Sequence, residues 1–541
     1  MYMHKLTQTV ITGHDKAVVE TKAGKVRGAV VEGSYIFRGI KYADAERFHL
    51  PHEVAPWEGV KEALVYGYVS SQITTGLAWD EPWVPHYLWP ENEHCQYLNI
   101  WTKSLDENAK KPVMVWFHGG GWSGGSSVEL YAYDGENMAN YGDVVVVNLN
   151  HRLNVIGYLD LSRYGEEYKY SGVAGLGDLV YALKWVKDNI AKFGGDPDNV
   201  TIMGQSGGGD KVLSMLQTPA ADGLFHKAIM QSGGASLRWS AEQRKINQDF
   251  ADKVVNNLHL TKETIKEIET VSWYDLSAAV IKGIYQCRQE GVPTPSWGPV
   301  TDDDYYYGNP AHTGWRKESL NIPMIIGSNL GEMQYAAIRA LPQSKNLYSD
   351  EEALAMMKEK FGDKAEAIAE AFRKAYPDHK VIDSMYTDTL MRPGLIEFVK
   401  DRAKHATAPA YEYMFSFETD WDGGLTAWHN AEEPFMFHNA RYLESAFVPE
   451  ESDKLEDAMT SAWLAFGRTG NPNNDLIPEW KPVEGEGDST YTMILDRNIR
   501  LVKDHDKELM SLLPPVDFAS MSGLIGNGRS NPGRDGVDLE I

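Results

Sequence analysis

Cysteine is nearly missing from this chain: Cys95 and Cys287 are the only two among 541 residues. Two thiols 192 residues apart make no disulfide scaffold, so a core of packed side chains must hold the fold. No window approaches the ~18 consecutive apolar residues that a membrane-spanning helix needs. The first residues, Met-Tyr-Met-His-Lys-Leu-Thr-Gln, lack the basic-then-apolar layout of a secretion signal. The expectation is therefore a cytoplasmic protein, or a secreted or periplasmic one whose signal has been removed. Positive charge is also scarce. Lys and Arg number 52 against 77 Asp and Glu, a formal net charge of −25. Such a surface repels phosphate backbones and anionic membranes, which excludes nucleic acid as a partner. Metal-ligand patterns such as H-E-x-x-H or C-x-x-C do not occur, so neither a metal nor another cofactor is expected. Asp302-Asp303-Asp304 reads as a solvated turn rather than a calcium loop.

Aromatic residues are plentiful: 16 Trp, 28 Tyr and 16 Phe demand a large core. Residues 17–40 alternate short apolar runs with glycines, the pattern of small antiparallel strands joined by turns. Val113–Phe117 and Val144–Val147 are uninterrupted apolar runs, as in strands buried on both faces. Leu179, Leu183, Val186 and Ile190 follow a helical spacing. Further strands are expected at Val200–Met203, Ala228–Met230, Pro323–Gly327 and Tyr411–Phe415. One or two helices are expected across Glu351–Ala375. Strands alternating with helices predict an α/β fold with a large, mostly parallel sheet covered on both faces. A single domain over residues 1–519 and a polar, Gly-rich tail over 520–541 are expected.

Chemistry concentrates at two glycine-rich segments. Gly204-Gln205-Ser206-Gly207-Gly208 matches G-x-S-x-G directly after a strand and before a helix-compatible stretch. In that context the serine sits on a sharp strand-to-helix turn, with its hydroxyl beyond the sheet edge. His118-Gly119-Gly120-Gly121-Trp122 follows another strand, where consecutive glycines let main-chain N–H groups approach a substrate oxygen. Gly119, Gly121 and Gly124 formally satisfy the dinucleotide pattern G-x-G-x-x-G. The run continues through Gly and Ser rather than opening a helix, which argues against that reading.

With these motifs in place the chain resembles the type B carboxylesterase family, the cholinesterase-like branch of the α/β-hydrolases. Glu93-His94-Cys95-Gln96-Tyr97-Leu98-Asn99-Ile100-Trp101 is similar to a family signature, departing from it at His94 and Gln96. Asn150-His151-Arg152-Leu153 with Gly157, Gly194-Gly195-Asp196-Pro197, Gly223-Leu224-Phe225 with Gln231-Ser232-Gly233, and Gly470-Asn471-Pro472 are further matches in order. The resemblance implies an α/β-hydrolase fold and the chain order Ser206, Glu332, His429 for a catalytic triad. Glu332 falls in a segment like the family's acid loop, and His429 in one like its histidine loop. It further implies an oxyanion hole from the N–H groups of Gly120, Gly121 and Gly207, and buried ion pairs Arg47–Glu93 and Arg152–Asp178. Gly207 stands where relatives usually carry alanine. Cys95 matches a cysteine that is disulfide-bonded in secreted relatives, but residues 60–94 offer it no partner, so a free thiol is expected. Trp122, Gln205 and Trp89 are candidates for the pocket wall, and the aromatic segment 78–92, with Trp79 and Trp83, for a loop at its mouth. The implied activity is hydrolysis of small carboxylic esters, neutral and aryl or short-chain, through an acyl-enzyme on Ser206. A catalytically inactive binding or adhesion domain, and a carbamate or amide hydrolase using the same triad, are the alternatives.

Overall fold

A computed structural model of the chain describes residues 9–73, 84–234, 242–302, 304–487 and 489–515. The apolar runs form the centre of a twelve-stranded sheet. Its strands lie in the order Val10–Ile11, Ala29–Val31, Ser34–Lys41, Tyr97–Thr102, Val145–Leu149, Lys111–Phe117, Gly195–Gln205, Lys227–Gln231, Met324–Asn329, Ala410–Phe415, Tyr491–Leu495 and Arg500–Lys503. From Val145–Leu149 to Tyr491–Leu495 every pairing is parallel, and the flanking pairs are antiparallel. The N-terminal segment divides its strands. Val18–Glu20 and Lys25–Arg27 form a small antiparallel pair, extended in parallel by Val60–Glu62. Ala29–Val31 and Ser34–Lys41 join the edge of the large sheet instead.

Side chains on successive strand residues point to opposite faces, and the sheet separates its apolar residues accordingly. Val113, Val115 and Phe117 pack with Val145, Val147, Leu149 and Ile202, beneath Leu179, Leu183 and Val186 of the helix Ala174–Asn189. Met114, Trp116, Val146 and Met203 face the other layer, with Phe435, Phe437 and Trp463. Each fully buried Val, Leu or Ile contributes ~1.5–3 kcal/mol, so this double layer dominates the stability of the fold. Ile190, in register with the helical spacing, instead opens a 3-10 turn, Ile190–Phe193, that ends at Gly194 in a left-handed conformation. The Glu351–Ala375 stretch resolves into two helices, Asp350–Phe361 and Ala365–Ala375. A third apolar cluster joins the helices Gln243–Asn257 and Trp273–Glu290 to Val155 and Ile156, and Cys287 is buried in it.

Cys95 and Cys287 are both buried and unpaired. Among the described residues no helix is long and apolar enough to cross a membrane. The segment 520–541, read as a tail, lies outside the described residues.

Of the two expected ion pairs, Arg152–Asp178 is buried, whereas Arg47–Glu93 is only partly buried. Arg152 donates Nε and Nη2 to Asp178 at 2.9 and 2.7 Å, and spends its remaining N–H groups on the carbonyls of Glu46 and Ala174. Arg47 donates Nε to Glu93 at 2.6 Å and also reaches the carbonyls of Ile268 and Val271. Both partners of the Arg152–Asp178 pair are almost fully buried. Removing one half strands the other charge in low dielectric. Asp178→Ala is therefore expected to destabilise the protein by ~3–5 kcal/mol, read as a lowered urea midpoint. An unchanged midpoint would contradict this role.

Candidate active site

The serine turn is forced by close packing at the end of the sheet. Strand Gly195–Gln205 stops at Gln205, helix Gly207–Leu216 starts two residues later, and Ser206 between them adopts φ +57° and ψ −126°. Such a conformation costs a non-glycine residue ~1–3 kcal/mol and persists only where the surroundings over-determine it. They do so here. The Ser206 N–H donates to the Gln231 carbonyl at 2.9 Å, and its own carbonyl accepts from Asp210 N–H at 3.1 Å. A Cβ on Gly208 would lie 2.1 Å from the Phe117 carbonyl, so the turn closes only with glycine there.

From this turn a hydrogen-bonded relay runs inward. Ser206 Oγ lies 2.7 Å from His429 Nε2, and His429 Nδ1 is hydrogen-bonded to Glu332. An Nδ1–H donating to the carboxylate leaves Nε2 as the acceptor for the serine hydroxyl. Glu332 follows strand Met324–Asn329 and is fully buried. Its second oxygen accepts from the Asn329 N–H at 2.8 Å and from Ser232 Oγ at 2.7 Å. The histidine loop is fastened to the acid loop: Gly331 N–H donates to the Ala427 carbonyl at 2.8 Å, and Asn329 Nδ2 to the Trp428 carbonyl at 2.6 Å.

Electrostatics favour a basic imidazole. Burial disfavours the imidazolium of His429, but the charge and hydrogen bond of Glu332 outweigh it and raise the pKa above the ordinary value of 6.5. Two further buried acids lie close by. Glu432 is pushed up to about 7, chiefly by burial, against the hydrogen bond from Asn329 and with the repulsion of Glu332. Asp388 is raised by burial and then by Glu332, although it accepts main-chain hydrogen bonds from Leu390, Met391 and Arg392. Sequence reasoning saw Glu432 only as part of the histidine segment. It saw Ser232 only within the Gln231-Ser232-Gly233 match and missed Asp388; the proximity of both to Glu332 comes from chain segments far apart.

Strand Lys111–Phe117 pairs in parallel with the serine strand, so its C-terminal end delivers the His118–Trp122 loop beside Ser206. Gly120 and Gly121 have φ of +80° and +62°. A Cβ on Gly207 would lie 2.3 Å from Gly121 Cα and 2.5 Å from its nitrogen. Glycine in place of the family's alanine is thus a packing requirement here, because it lets the loop's main chain close onto the helix start. Gly121 and Gly207 meet at this contact, and Gly120 precedes it in the loop.

The pocket-wall candidates are placed differently. Gln205 and Trp122 are each only 2% exposed. Gln205 donates Nε2 to the His429 carbonyl, tying the serine turn to the histidine loop rather than opening to a pocket. A glutamate there would set a carboxylate oxygen against that carbonyl. Trp122 packs edge-on against Tyr158, with ring centroids 5.1 Å apart, and supports the glycine loop from within the core. Trp89 packs edge-on against Tyr66, over which Arg38 of strand Ser34–Lys41 lies. Trp79 and Trp83 fall outside the described residues.

One group away from the relay has metal-ligand proximity: ligand atoms of His379, Asp383 and Glu418 lie within 4.8 Å of one another. The ammonium of Lys345 sits 2.9 Å from Asp383 and 2.7 Å from Glu418, so a cation already compensates these carboxylates.

The family model described as the carboxylesterase family matches residues 15–510. Para-nitrobenzyl esterase of Bacillus subtilis (strain 168) is 32% identical over 508 residues, covering 92% of this chain and 98% of its own. Phenmedipham hydrolase of Pseudarthrobacter oxydans is 29% identical over 508 residues, covering 90% and 97%. Among solved structures, an esterase from anaerobic Clostridium hathewayi, described as able to hydrolyse aliphatic aromatic polyesters, superposes with a TM-score of 0.87. It is 44% identical, covering 94% of this chain and 99% of that one.

The raised pKa of His429 makes a signed prediction. A protonated imidazole cannot accept the serine proton, so if His429 is the base for Ser206, kcat/KM should fall as pH drops through its folded-state pKa, raised above the ordinary 6.5. Glu332→Gln removes the charge that raises it. The acid limb should move to lower pH, and kcat should fall by roughly 10³–10⁴-fold as the imidazole loses its fixed tautomer. A pH–rate profile with an unmoved acid limb would contradict the placement of Glu332.

Proposed function

The chain belongs to the carboxylesterase family and is a carboxylic ester hydrolase, and on that premise we propose that Ser206, His429 and Glu332 are its catalytic triad. The observation that carries this reading is the 2.7 Å contact between Ser206 Oγ and His429 Nε2, continued to Glu332. His429 takes the hydroxyl proton as Ser206 attacks the ester carbonyl. Glu332 keeps the ring in the accepting tautomer and stabilises the imidazolium that forms. The oxygen of the tetrahedral intermediate turns toward the N–H groups of Gly120, Gly121 and Gly207, at the positive end of helix Gly207–Leu216. His429 then protonates the departing alcohol. Water, deprotonated by the same imidazole, cleaves the acyl-Ser206 ester and restores the enzyme. A complete, hydrogen-bonded relay also speaks against an inactive binding domain.

For substrates we propose neutral esters with aryl or short acyl groups. The para-nitrobenzyl and aliphatic aromatic polyester activities that name two relatives support this class. The buried, unpaired Cys95 and Cys287 support a reducing compartment.

Ser206→Ala should leave the fold intact and lower kcat/KM for 4-nitrophenyl acetate by roughly 10⁶-fold, because triad members act as a unit. Near-normal turnover by this variant would sink the assignment. With wild-type protein, a neutral butyrate ester should be cleaved with higher kcat/KM than the matched choline ester, and the reverse order would overturn the substrate class.

A further inference from the structure

Lys211 lies on the helix that begins at the serine turn and has no exposed surface. A buried amine is costly unless paired, and among the described residues no carboxylate bonds to this one. Its Nζ instead donates to two main-chain carbonyls, those of His118 and Gly121, each at 2.8 Å. These carbonyls bracket the glycine loop. The two peptide groups between them carry the N–H groups of Gly120 and Gly121. We propose that Lys211 is a positioning residue for ester hydrolysis: by clamping both ends of the glycine loop it holds the Gly120 and Gly121 N–H groups toward the oxygen of the reacting ester. The inference rests on the assignment of those N–H groups to the oxyanion site.

The surroundings fit a clamp. Trp122 lies beneath the amine, its ring centroid 5.4 Å from Nζ. His118 and His151 stack beside it at 5.0 Å, and burial, then the charge of Lys211, drive both imidazoles toward the neutral form. Asp210 on the same helix and Glu129 are the acids that act on the amine at longer range. Burial outweighs them and brings its pKa down to about 7. A neutral amine keeps two N–H groups and an ammonium three, so both forms can hold two carbonyls. An apolar side chain would fill the same volume with no donor to desolvate, and would leave two carbonyls without partners.

Lys211→Met tests the clamp, with Lys211→Gln, which keeps an N–H donor, as the conservative partner. Both are assayed on 4-nitrophenyl butyrate beside a trifluoromethyl ketone, whose adduct with serine mimics the tetrahedral oxyanion. Lys211→Met should lower kcat by ~10–100-fold, somewhat less than the loss of a direct oxyanion donor. KM should change little, ketone affinity should fall by a factor similar to that in kcat, and Lys211→Gln should recover part of both. A purely structural role would lower the melting temperature without this parallel loss. Folded Lys211→Met with unchanged kcat and ketone affinity would overturn the proposal, as would a loss confined to KM. If the methionine variant does not fold, Lys211→Ala, which also leaves no donor, carries the test: full kcat and ketone affinity in it would overturn the clamp. Ser206→Ala separates the two claims. Activity in that variant defeats the triad itself, whereas failure of the Lys211 variants alone leaves the triad standing.

Discussion

The contact between the main chain at Gly121 and the helix start at Gly207 is the constraint on which the rest of the site depends. It brings together the segments that follow two parallel strands, Lys111–Phe117 and Gly195–Gln205, at a point where a Cβ on Gly207 would strike the Gly121 main chain. The strained Ser206 is a consequence: with Gly208 pressed under Phe117 and the serine amide bound to the neighbouring strand, the hydroxyl has to project outward. Strain of this kind is stable only because the sheet beneath, buried on both faces, has no freedom to relax.

Around that contact the polar groups divide the work by position. Glu332 and His429 come from loops after different parts of the sheet; Asn329 and Gly331 lock those loops to each other through main-chain carbonyls, and Gln205 ties the serine turn to the histidine loop. Burial raises the pKa of Glu432 and Asp388, while in His429 the carboxylate of Glu332 outweighs burial. The outcome is a basic imidazole among buried acids, hydrogen-bonded to the serine at the turn where the glycine loop meets the helix start. Ester hydrolysis needs both: a base for the serine proton, and dipoles already oriented where negative charge will develop. The bonds from Lys211 to the glycine loop belong to the same division of labour, since a loop of glycines has little stiffness of its own.

Much of this was legible in the residues themselves. Apolar runs such as Val113–Phe117 predicted the buried strands because a strand covered on both faces leaves no polar alternation. Gly204–Gly208 and His118–Trp122 could be read because a local turn imposes local spacing. Glu332 and His429 were legible only through family resemblance: they meet across 97 residues, and nothing within either segment announces the other. Ser232 was visible only as part of the Gln231-Ser232-Gly233 match, and Asp388 and Lys211 gave no signal, since their roles come from tertiary contacts. The same limit explains Gln205 and Trp122. Adjacency to the motif suggested the pocket, whereas strand alternation and core packing turned both inward.

The central claim is that one activated serine at this turn performs the chemistry, and covalent labelling tests it most directly. Incubation with diethyl 4-nitrophenyl phosphate, followed by intact mass and peptide mapping, should give one phosphoryl adduct per chain, on Ser206, with activity lost in proportion to labelling. An adduct on another residue that abolishes activity, or full activity in chains labelled at Ser206, would contradict the account.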